Sequence, residues 1–230
     1  MRNYRSNAAS DVRIDYGVAL VRGLWNFEKT RPHSEGFKAL NDALEAQYRL
    51  RLGLRKPWLE ARQDVRFGDI NADDVIRSYQ SAAHIADGGR RGAISKAVLS
   101  EGSTPVTAPS GARQLPALID VIRDLDNARV EGIDAFRTAE RPKLEAARLQ
   151  LQTAVDTYQS ARAAYHDAFA IEKGLRDEHR LAVDAMMGTV RHAFPGDKRR
   201  QDAVFPDATV TRGIDKEDNT DTDGDDTDTE

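Results

Sequence analysis

The chain has 230 residues, 40% of them hydrophobic and 31% charged, with no cysteine and a formal net charge of -4. That composition excludes a disulfide framework and any thiolate nucleophile or ligand, and no run of about 18 apolar residues offers a membrane span. It suits long amphipathic helices with wide wet faces, gathered into one large domain or two small ones.

The first ten residues, 1–10, are polar and read as a flexible N-terminus. Asp11, Arg13, Asp15 and Arg22 interrupt every apolar run near it, so no signal peptide is expected and the expected location is cytoplasmic. A helical body is predicted over 11–211. Ser10 is a candidate N-cap for a first helix from about Asp11 to Lys29, along which Ile14, Val18, Val21 and Trp25 recur at helical spacing. After "TRPHSEG", Phe37, Leu40, Leu44, Tyr48, Leu52 and Leu59 trace a second helix. It should end near Arg66 and be kinked or split at Pro57. "FGDIN" reads as a turn with Asn71 as the next cap. A short helix through Val75, Ile76, Tyr79 and Ala83 should stop at the "GG" of 88–89. A further turn or two of helix from about Arg91 to Leu99 leads to a loop over 102–113.

From Gln114 the helical period resumes through Leu115, Ile122, Leu125, Ile133 and Phe136. It meets Pro142 and continues through Leu151, Tyr158, Tyr165 and Phe169. Gly174 is the best place for a turn before a last helix ended by "PGD". "KRRQDAVFPD" should pack back through Val204 and Phe205. The fold class expected is therefore all-α, an up-and-down antiparallel bundle of long kinked helices.

Two stretches resemble each other. "LRKPWLEAR" (54–62) matches "ERPKLEAAR" (140–148), and "YQSA" occurs at 79–82 and again at 158–161. The offset falls from 85 to 79, which equals the six residues "RFGDIN" present only in the first copy. This points to a duplicated helical hairpin spanning 35–102 and 115–197, each copy being a kinked helix, a returning helix and a basic turn. Chance matching between Ala-, Glu- and Arg-rich helices is the competing account.

Little in the chain points to chemistry. A di-iron bundle needs Glu-x-x-His pairs, and none of His33, His84, His166, His179 and His192 has Glu three places before it. No phosphate loop, Gly-x-Ser-x-Gly elbow or His-Glu-x-x-His occurs. The aromatics Trp25, Trp58, Tyr79, Tyr158, Tyr165 and Phe169 read as core. Candidate anion-binding residues are Arg90 and Arg91 in "GGRRG" and Lys198, Arg199 and Arg200 in "DKRRQ". Their ordinary role is to complement helix C-termini.

The tail, 212–230, reads as disordered and acidic. Residues 215–230 carry nine acids and one lysine, which leaves 33 bases and 29 acids, a balance of +4, for residues 1–214. Its "NTDTDGDDTDTE" approaches the spacing of a calcium loop. Asn219 stands at the first ligand position, however, and Asp226 at the place where a paired loop needs an apolar residue. At most weak calcium binding is expected. No cofactor, resident metal or catalytic residue is expected either. The function expected is a non-enzymatic helical interaction or structural protein, binding a protein partner or self-associating. Nucleic-acid or anion binding at the basic clusters is the alternative, and an enzyme with an unrecognised bundle-core site the third. Apolar surface left on the first helix, at Leu24 and Trp25, should either fill the bundle or dimerise it.

Overall fold

The computed structural model describes residues 4–206, so the acidic tail and its calcium-like spacing lie outside the described residues. Within them the secondary structure is helical, without a strand. The helices are α1 (Ser10–Asn26), α2 (Ser34–Ala86), α3 (Ala93–Val98), α4 (Thr104–Thr107), α5 (Gln114–Asn127), α6 (Ile133–Ala193) and α7 (Lys198–Val204). No described helix is long and apolar enough to cross a membrane. The described residues divide into two compact units, 4–53 with 166–206, and Leu54–Tyr165.

The discontinuous unit is built on α1, the first part of α2, the last part of α6, and α7. Tyr16, Leu20 and Leu24 of α1 are fully buried and pack with Phe37, Val183, Val190, Phe194, Val204 and Phe205. Full burial of each such side chain contributes about 1.5–3 kcal/mol, which makes α1 an integral part of this core. Leu24 fills the interior, as one of the two expected roles had it, whereas Trp25 stays exposed. The segment expected to be loose also packs: Tyr4 and Ala8 are buried. Ser10 is no cap, since the N-cap is Ala9, without a side-chain cap bond. The Ser10 hydroxyl turns inward instead. The packing-back expected of "KRRQDAVFPD" is realised in α7, where Val204 at its end and Phe205 just after it are buried.

The continuous unit gathers the rest of α2, α3, α4, α5 and the first part of α6 around Ile76, Tyr79, Leu118, Leu125, Leu144 and Leu151. Here α2 does not end near Arg66, and "FGDIN" is helical. Each turn-forming residue there has a partner in a neighbouring element. Gly68 lies so close to Leu151 that a Cβ would sit 3.3 Å from its backbone. The Asp69 carboxylate accepts from Gly111 N at 2.7 Å, and Asn71 Nδ2 donates to Gln150 Oε1 at 2.7 Å. Tertiary contacts override weak local propensity. Pro57 and Pro142 both lie inside uninterrupted helices. Pro57 is exposed, so water can serve the carbonyl its missing N–H leaves open.

Three further boundaries differ from expectation. Helix α6 runs straight past Gly174, because the buried positions Glu172, His179, Val183 and Val190 keep helical phase. A break that the sequence hides separates α5 from α6 at 128–132. It is held by the Arg137 guanidinium, which donates to Leu125 O at 3.0 Å and Ala128 O at 2.8 Å. The expected loop at 102–113 contains α4 and a 3-10 turn at Gly111–Arg113. As a result "LRKPWLEAR" and the first "YQSA" share α2, while their counterparts share α6. The returning helix expected inside each copy is not formed.

Candidate functional site

The most unusual chemistry in the described chain is a set of buried polar side chains in the discontinuous unit. Ser10 and Arg13 come from α1, Asn41 and Arg51 from α2, and Glu172 and His179 from α6; all are buried, with Arg176 of α6 beside them. On α6 the spacings of four and seven residues put Glu172, Arg176 and His179 on one face. An ionised carboxylate at zero exposure is costly without matched partners. Glu172 has three: Arg51 Nε donates to one carboxylate oxygen at 2.5 Å, and Arg176 Nη2 and the Ser10 hydroxyl donate to the other at 2.7 and 2.5 Å. Arg176 Nε also donates to Ser10 Oγ. The ring of Phe169 lies under both guanidiniums, 5.2 Å from Arg51 and 5.7 Å from Arg176, adding cation–π attraction.

A second chain of hydrogen bonds runs beside it. Burial pushes the Tyr4 phenol up to about 12, so it is a neutral hydroxyl and can donate. It lies 2.8 Å from His179 Nδ1, and His179 Nε2 lies 3.2 Å from Asn41 Oδ1. An amide oxygen only accepts. Nε2 therefore carries the imidazole proton, and Nδ1 accepts from Tyr4. Arg13 fixes the incoming segment by donating to Ser6 O at 2.7 Å, Ala8 O at 2.8 Å and Arg176 O at 2.7 Å. Its guanidinium also covers the Tyr4 ring.

His179 has a readable signature. Burial, and secondarily the Arg13 charge, lowers its pKa from 6.5 to about 4. Well above pH 6.5 the imidazole is neutral in both folded and unfolded chains, and stability does not depend on pH through it. As pH falls toward 4 the unfolded chain takes up a proton that the folded one refuses. Stability is then lost progressively, by up to about 3 kcal/mol. Urea unfolding between pH 7 and 5 should show this slope, and His179→Gln should flatten it. An unchanged slope in that variant would refute the assignment.

Chemically, this cluster does not present itself to a substrate. Ser10, Glu172 and His179 are at zero exposure and bonded to one another's neighbours. What the arrangement does is fix how α1 docks on α2 and α6, because any slip strands a charge. In the sequence this cluster shows only as a charged gap, Glu172, in the apolar stripe between Phe169 and Leu175. Among the described residues no three His, Cys, Asp or Glu side chains gather as a metal-binding group.

The predicted basic residues fall in different places. Arg90 and Arg91 belong to the continuous unit, and Lys198, Arg199 and Arg200 to the other, so neither unit brings all five together. The turn bearing the first pair is firmly made. Gly88, at φ +79°, allows the α2 C-terminus to close with Gly89 N donating to His84 O at 2.8 Å. The Asp87 carboxylate then accepts from Gly92 N, Ile94 N, Ser95 N and the Ser95 hydroxyl. These bonds, the hydroxyl first, hold its pKa well below the usual carboxylate range. Arg91 is turned onto the carbonyls of Leu99 and Ser100. Arg200 pairs with Asp197 at 3.5 Å, while Lys198 and Arg199 are exposed.

One surface feature stands apart. Val18, Val21, Arg22 and Trp25 of α1, with Ser34, Glu35 and Lys38 of α2, line an open groove of about 350 Å³. Val18 is 57% and Trp25 44% exposed. The Trp25 ring is held by the Arg31 guanidinium, 5.1 Å from its centre.

Fold and polar core together define an all-α protein of long amphipathic helices. Comparison with protein-family models, with curated proteins and with solved structures found no match.

Proposed function

We propose that this chain is a non-enzymatic helical protein that works by association, through the apolar face of α1, with a protein partner or a second copy of itself. The observation supporting this is the groove beside Val18 and Trp25, two large apolar side chains left exposed on a helix whose other face is fully buried. Exposed apolar patches with a polar rim are characteristic of interaction surfaces. Cytoplasmic residence, the bundle arrangement and a duplication of 35–102 and 115–197 belong to the same proposal. The duplication rests on the matched sequences alone.

Sedimentation velocity tests self-association directly. The expected result is a concentration-dependent dimer, at least tenfold weaker in Trp25→Asp, with an unchanged circular dichroism melt. A dimer indifferent to Trp25→Asp, or a monomer that also ignores amphipathic helical peptides, would overturn the proposal. The second reading, anion or nucleic-acid binding, is supported by the exposed Lys198 and Arg199. It requires salt-dependent duplex binding that falls in a Lys198→Glu, Arg199→Glu variant.

A further inference from the structure

Within the continuous unit, the solvent side of α2 carries large apolar side chains, interrupted by the exposed Lys56 and Gln63. Leu59, Phe67 and Ile70 are 46%, 61% and 53% exposed. At 3.6 residues per turn they fall within an arc of about 80°, directly opposite the core-facing Ala61, Gly68 and Ala72. Arg55, Arg62 and Arg66 form a second stripe along one edge of that arc, all three exposed.

These arginines differ from others on the surface. Arg49, Arg77, Arg123, Arg137 and Arg148 each reach an acid three or four residues away. Among the described residues Arg55, Arg62 and Arg66 have no such partner. The acid nearest in helical register, Asp69, is three residues beyond Arg66, and its carboxylate is occupied by Gly111 N. An apolar stripe with an uncompensated cationic edge is thus presented on one rigid helix.

Resting on the association reading above but at a different surface, we propose that this face of α2 docks an acidic amphipathic helix of a protein partner. The partner's apolar stripe would cover Leu59, Phe67 and Ile70, and carboxylates along one flank would meet Arg55, Arg62 and Arg66. Other occupants fit less well. The chain's own acidic segment, 215–230, has charges for the arginines but no apolar side chain for the stripe. A second copy laid antiparallel on this stripe sets arginine against arginine, and a parallel one offers the three arginines only Glu60, already paired with Lys56, and Asp64. A bilayer surface wants cations on both sides of the apolar arc, and the opposite edge here carries Glu60, paired with Lys56 at 3.6 Å, followed by Asp64.

The test uses the full chain and two synthetic helical peptides with identical leucine stripes, one with glutamates along a single flank and one with lysines there. Fluorescence anisotropy should show the glutamate peptide binding, and binding should fall at least tenfold in R55E/R62E/R66E and in L59S/F67S. The charge-reversed protein should gain the lysine peptide. If the triple variant fails to fold, R62Q/R66Q should still weaken binding severalfold. Affinity unchanged by the arginine substitutions overturns the proposal. So does arginine-dependent sedimentation of the chain with phosphatidylserine vesicles in the absence of peptide binding, which would assign the face to a membrane. Peptide binding lost in Trp25→Asp but kept in R55E/R62E/R66E would leave the α1 groove standing and remove this site. No binding at either surface would remove both.

Discussion

Glu172→Ala should destabilise the protein by about 3–5 kcal/mol, the range for removing one partner of a buried ion pair. The carboxylate is at zero exposure and the Arg51 side chain at 5%, so its loss strips a desolvated guanidinium of the carboxylate 2.5 Å away. The Ser10 hydroxyl and Arg176 Nη2 lose the same carboxylate oxygen at that moment. Replacing both ends tests whether the penalty is the stranded charge. Arg51→Met with Glu172→Met should recover most of the loss, since a buried pair exchanged for well-packed apolar groups is often neutral. Urea unfolding followed by circular dichroism measures both. A Glu172→Ala cost under about 1 kcal/mol, the value of an exposed pair, would mean that water reaches this cluster.

Gly23→Ala should be the most damaging single-methyl change. A Cβ at Gly23 would lie 1.9 Å from Val204 O, a backbone atom that cannot swing aside. Helix α7 must shift, carrying Val204 and Phe205 partly out of the core. The expected loss is about 3 kcal/mol, at the upper end for overpacking, after allowing for the roughly 1 kcal/mol that alanine gains over glycine in a helix. Gly174→Ala, with open space around it, should move the opposite way and stabilise by about 0.5–1 kcal/mol. Thermal melts of the two variants shifting in the same direction would refute the packing of α7 against α1.

Helical class was legible in the apolar spacing of α1, α5 and much of the long helices. The "GG" stop of α2 was legible because glycine's left-handed conformation is needed there. The path of α2 through "FGDIN" was not, since what keeps those residues helical lies in Gly111, Gln150 and Leu151, distant in sequence. The break at 128–132 escaped for the converse reason: Leu125 and Ile133, eight residues apart, stay close enough in helical phase to hide it. Basic clusters were visible as composition, but which cations are already spoken for by carbonyls or acids is a matter of three-dimensional neighbours. The buried cluster around Glu172 was hidden more thoroughly still. Glutamate and arginine on a helix ordinarily face water, and only the packing of α1 encloses them.

The interleaving of the two units carries a consequence for synthesis. The unit 54–165 is continuous, and its partners emerge from the ribosome in one stretch. The other unit opens the chain and cannot close until α6 and α7 exist: Tyr4 meets His179 across 175 positions. Until Val183, Val190, Phe194, Val204 and Phe205 have been made, then, Tyr16, Leu20 and Leu24 lack their full cover. At about 5–20 residues per second, the interval lasts on the order of ten seconds or more. During it the apolar face of α1 is open to solvent, and the continuous unit can close before the discontinuous one.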